Sequence, residues 1–64
     1  MKVIRLKAVI ARTGLGRSTI YKLQAEGKFP QSISLGARAV GWISSEIDDW
    51  VRFKVETRNS LFLQ

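Results

Sequence analysis

Apolar residues recur at spacings of three and four in the first part of the chain and at spacings of two in the middle. Leu6, Val9 and Ile10 share one helical face, and so do Ile20 and Leu23. That periodicity predicts a short helix over residues 7–13 and a second over residues 17–26. Val3 and Ile4 precede them as a brief strand or extended lead-in. Gly14 suits a left-handed residue that ends the first helix without steric cost. Leu15 is an apolar turn residue aimed into the angle between the two helices, and Gly27 and Pro30 stop the second one.

After Pro30 the period changes. Ser32-Ile33-Ser34-Leu35 alternates, and so does Val40-Gly41-Trp42, with the small tip Gly36-Ala37-Arg38-Ala39 between them. This is the pattern of a β-hairpin, and its inner face is expected to carry Ile33, Leu35, Val40 and Trp42. Ser45 with Asp48 three residues on reads as a capping box, and Glu46, Asp48 and Asp49 suit the positive end of a helix dipole. Ile47, Trp50, Val51 and Val55 then form the apolar stripe of a third helix, expected to pack across the hairpin and the first helix. The aromatics Phe29, Trp42, Trp50 and Phe53 are the expected bulk of the core. The division predicted is a domain over residues 1–56 and a tail over 57–64. The apolar run Leu61-Phe62-Leu63 lies past the expected helix end, where it folds back, frays or touches another protomer.

Two short helices joined by a tight turn and followed by a hairpin have the layout of a helix-turn-helix with a wing. The fold class predicted is α+β, a small winged helix-turn-helix. Charge gives that shape a use. The chain carries net charge +6, and residues 1–45 hold eight basic residues and one acidic, a net +7, while the remainder is −1. A positive field on the segment that forms the helix pair points to double-stranded DNA as the partner. The outward positions of the second helix are Arg17, Ser18, Thr19 and Lys22, with Tyr21 at the border and its hydroxyl within reach of a phosphate. Arg38 near the hairpin tip is placed for the minor groove or a phosphate, and Lys28 for the backbone.

Composition removes several classes. With no cysteine and no histidine, neither a disulfide nor a zinc site is expected, and no cofactor is implied. The adjacent Asp48 and Asp49 point in different directions, and there is no phosphate loop or nucleophile–base pair, so an enzyme is not expected. Gly14-x-Gly16 lacks the third glycine and the preceding strand of a dinucleotide site. No apolar run approaches the ~20 residues of a membrane span, and a cytoplasmic protein is expected. The rival reading is a small protein-interaction module or inhibitor built on the same scaffold. It calls for an exposed apolar patch and a neutral second helix.

The strings Thr13–Leu23, Gly27-Lys28-Phe29-Pro30, Leu35–Trp42 and Ser45–Trp50 together resemble the AlpA family of small phage-type transcriptional regulators, relatives of excisionases and of the MerR-like group. The resemblance runs from about Ile4 to Lys54. It implies a winged helix-turn-helix on prophage or genomic-island DNA, acting as a transcriptional regulator or an excision factor, with an integrase as a further partner. Carried over by position, it implies DNA contacts from Arg17, Ser18, Thr19, Tyr21 and Lys22 on the helix and Arg38 on the wing, and structural roles for Trp42 and Trp50. Gly16 departs from the serine common in the family, and Ile10 from the small residue often kept there. Cooperative self-association on DNA is also expected, because one small module covers too little DNA for high specificity alone.

Overall fold

Val3–Ile4 forms β1, and the chain then turns at Arg5 into α1 (Leu6–Thr13). In the computed structural model, which describes the backbone of residues 1–63 and the side chains of residues 1–58, α2 follows (Arg17–Ala25). Next come β2 (Ile33–Gly36), β3 (Ala39–Ile43) and α3 (Ser44–Leu63). The sheet has the order β1-β3-β2, with both pairings antiparallel. This is the expected α+β winged helix-turn-helix.

One side of the sheet carries the core. Ile4 of β1 and Trp42 of β3 are Cα partners and meet Val9 of α1, Ile20 of α2, Ile47 of α3 and the loop residue Phe29, all buried. Each helix therefore contributes one fully buried aliphatic residue to a cluster centred on Trp42. Trp50 closes the lower edge: its ring meets Phe29 edge-on with centroids 4.8 Å apart, and its Nε1–H donates to the Lys28 carbonyl at 2.9 Å.

The expected inner face of the hairpin splits. Ile33 pairs with Gly41 and Ser34 with Val40, and paired residues share a face. Trp42 and Val40 point into the core, whereas Ile33 and Leu35 lie on the opposite face and are 36% and 44% exposed. The cause is a slip of one residue. Gly36 pairs with Ala39 across the two-residue turn, a register that, continued, would set Leu35 opposite Val40; a bulge between Ser34 and Gly36 sets Ser34 there instead. Since side chains alternate with period two, one residue of slip reverses the face of the whole strand. Gly41 is needed on that outer face: a Cβ there would stand 2.5 Å from a Val3 methyl, 3.0 Å from a Leu35 methyl and 3.1 Å from the Ile4 carbonyl.

α3 also departs from expectation at its start and along its stripe. The helix begins at Ser44, whose hydroxyl accepts a hydrogen bond from the Arg12 guanidinium. Asp48, expected to complete a capping box with Ser45, instead faces the same Arg12 at 3.2 Å. A tertiary partner has displaced a local one. Ile47 is fully buried and Trp50 and Val51 are half-buried, but Phe53 is 60% and Val55 43% exposed, so Phe53 is not a core residue. The helix runs to Leu63; what the side chains of Leu61, Phe62 and Leu63 touch lies outside the described residues. No helix among the described residues is long and apolar enough to cross a membrane.

Candidate nucleic-acid interface

The turn between α1 and α2 is built by its own sequence. Gly14 adopts φ 73 and its N–H closes on the Ile10 carbonyl at 2.8 Å. The Thr13 hydroxyl donates back to the Val9 carbonyl at 2.8 Å and accepts the Leu15 N–H at 3.2 Å, so the chain leaves α1 in one direction. Gly16 then stands at the N-cap of α2 with extended dihedrals and no side-chain cap. The helix is instead held from within by Ile20, which is fully buried.

Helical spacing places Arg17, Ser18, Tyr21 and Lys22 on one arc, opposite Ile20 and Leu23, with Thr19 at its edge. All five named in the sequence reading are exposed. Tyr21, expected at the border and half-buried, is exposed, at 39%. Its ring lies 6.4 Å from that of Trp42, and the Arg17 guanidinium carbon sits 5.9 Å from its centroid. The outermost cation of α2 is thus tied through one aromatic ring to the centre of the core. A pre-positioned guanidinium loses less freedom on meeting a ligand than a free one.

Lys28 lies beyond the end of α2, its side chain 69% exposed and its Nζ 3.9 Å from a Glu26 carboxylate oxygen. An ion pair so long and so exposed holds the ammonium weakly. Arg38 forms the hairpin tip at φ 60, the one non-glycine residue with positive φ among the described residues. A side chain there costs about 1–2 kcal/mol, a strain the fold tolerates while presenting a cation at its outermost turn. The structure brings the α2 residues together on one surface; Lys28 and Arg38 stand on the segments that follow it. Arg12, counted in the sequence only as one more positive charge, is engaged with Ser44 and Asp48 and ties α1 to α3. Its role carries no local signal, since both partners are more than thirty residues away.

The profile of the family described as prophage CP4-57 regulatory protein (AlpA) matches residues 2–55, which takes in every element from β1 through the proximal half of α3. The chain belongs to the AlpA family. It is 40% identical over 57 residues to a protein of Escherichia coli (strain K12) named DNA-binding transcriptional activator AlpA, a match covering 80% of this chain and 81% of that one. It is 39% identical over 57 residues to the protein ORF88 of Enterobacteria phage P4, covering 89% of this chain and 65% of its relative. The AlpA match includes the whole of α2 and the wing. The distal half of α3, after residue 55, falls outside it.

Proposed function

We propose that this AlpA-family chain is a sequence-specific double-stranded DNA-binding regulator of prophage or genomic-island genes. α2 enters the major groove, and the wing tip at Arg38 meets the backbone or the minor groove. The observation that carries this reading is the exposed arc of Arg17, Ser18, Tyr21 and Lys22, backed by the buried Ile20, in a chain akin to a protein named a DNA-binding transcriptional activator. Ser18, Thr19 and one of Arg17 or Lys22 read base edges, while Lys28, Arg38 and the remaining cations engage phosphates. An arginine bidentate to guanine is worth about 1–3 kcal/mol of discrimination.

Anisotropy or mobility-shift titration on the DNA flanking the chain's own gene tests this. With about 4–6 phosphates neutralised, log K against log salt concentration has a slope of about −4 to −5. A slope near zero sinks the proposal. Arg17→Ala with Lys22→Ala abolishes binding while leaving the fold intact; retained binding removes α2 from the interface. Footprinting then separates regulation from excision. Protection of a promoter assigns the chain to activation, and protection of spaced repeats inside an attachment site assigns it to excision beside an integrase.

A further inference from the structure

Lys28 is fixed at both of its peptide bonds. Gly27, at φ 72, reverses the chain at the end of α2, and the Lys28 N–H returns to the Leu23 carbonyl at 2.8 Å. On the other side, the Lys28 carbonyl accepts the Trp50 indole N–H at 2.9 Å. A planar peptide leaves only φ and ψ free at each residue. With both flanking planes tied, the two angles of Lys28 are set, and so is the direction of its Cα–Cβ bond. The next residues reinforce this. Phe29 is buried against the edge of the Trp50 ring, and the Gln31 amide donates to the Gln24 and Phe29 carbonyls at 3.0 and 3.4 Å.

The ammonium of the same residue is left open. The Lys28 side chain is largely exposed, and Glu26 approaches its Nζ only to 3.9 Å, a contact too weak to compete with an anion. A lysine carries its charge on a flexible four-carbon stem, so a fixed base confines where that charge can reach. The Gln31 bonds are local to the loop, whereas Trp50 reaches it from α3, 22 residues on in sequence. A phenylalanine at position 50 would offer Phe29 an apolar edge as well. What the indole adds is a second ring and a directed N–H.

We propose that Trp50 is a positioning residue for the DNA interface: through its N–H it sets the backbone of Lys28 so that the ammonium meets a phosphate beside α2. This rests on the DNA-binding reading above, and adds to it a residue of α3, outside the helix-turn-helix. Trp50 does not itself touch DNA. Its effect passes through Lys28, whose ammonium loses less freedom on meeting a phosphate when its base is already fixed.

Trp50→Phe and Lys28→Ala, singly and together, test this on the duplex that flanks the chain's own gene. Lys28→Ala removes one phosphate contact, and the salt slope shrinks by about one. Trp50→Phe weakens binding by roughly three- to tenfold, the scale of one hydrogen bond, and moves the slope toward that of Lys28→Ala. The double variant binds like Lys28→Ala alone, because the lysine through which Trp50 acts is gone. A role in packing alone gives a different result: the melting temperature falls, the slope stays at the wild-type value, and the two losses multiply. A synthetic chain with 3-benzothienylalanine at position 50 keeps both rings against Phe29 and Lys54 and lacks only the N–H. It reproduces the loss, and decides the matter where Trp50→Phe folds poorly. Wild-type affinity and slope in the benzothienyl chain overturn the proposal, and so do losses that multiply in the double variant. A wild type with a slope near zero sinks the DNA-binding reading and this proposal with it, and is recognised before any variant is compared.

Discussion

Arg38 and Tyr21 show how single residues join fold to interface. Arg38 occupies a left-handed conformation at the wing tip at a cost of about 1–2 kcal/mol. Glycine would relieve that strain but lose about 0.5–1 kcal/mol through its freer unfolded state. Arg38→Gly is therefore expected to leave the denaturation midpoint unchanged or slightly raised. If the wing touches phosphate, its DNA affinity falls and its salt slope shrinks by about one; an unchanged slope takes the wing off the DNA. Tyr21 lies between Arg17 and Trp42. Tyr21→Phe keeps the ring and both ring contacts, so an affinity loss in that variant assigns a role to the hydroxyl. Tyr21→Ala, by contrast, frees Arg17 and weakens binding even if the hydroxyl does nothing.

Among the elements, α2 is the one whose local sequence supports it least. Its N-cap is Gly16, without a side-chain oxygen for the first turn. The dihedrals there, φ −76 and ψ 165, suit any residue, and an added Cβ meets nothing within 4 Å. Gly16→Ser should stabilise the protein by a few tenths of a kcal/mol, measurable as a higher urea midpoint at constant m. α1 and α3 depend on each other through Arg12. Arg12→Ala removes a charged hydrogen bond to the nearly buried Ser44 and an ion pair to the exposed Asp48. The first is worth about 1.5–3 kcal/mol and the second at most about 1. Raising salt in the denaturation experiment should thus narrow the gap between Arg12→Ala and wild type only a little, and a gap that vanishes would place all the energy in the ion pair.

For the whole molecule, charge and apolar surface are divided between two sides. The exposed cations of α2 stand over one side of the core, and a groove lined in part by Glu46 and Asp49 opens beyond the sheet on the other. A chain of this size buries roughly 60% of its unfolded surface, so it has little stability to spare, and Gly41 is a sensitive point. Gly41→Ala forces Val3 and Leu35 aside and presses on the Ile4 carbonyl. A loss of about 1–3 kcal/mol is expected for overpacking of this kind, read as a drop in melting temperature, with both β1 and β2 loosened from β3 in hydrogen exchange.

The order of the elements, and the type of each except β1, were legible in the sequence, because they rest on short-range physics. The spacing of Leu6, Val9 and Ile10, the left-handed Gly14 and the alternation on either side of Arg38 each act within a few residues. Exposure of Arg17, Ser18, Thr19 and Lys22 followed from the same periodicity, once Ile20 and Leu23 were assigned inward. Hairpin register was not legible. Alternation defines two faces for each strand but not which face of one meets which of its partner, and the bulge between Ser34 and Gly36 decided that. The tertiary structure alone turned Ile33 and Leu35 outward, gave Asp48 to Arg12 in place of Ser45, and left Phe53 exposed. These outcomes depend on groups far apart in sequence, whose meeting is set by packing around Trp42 and by no local preference.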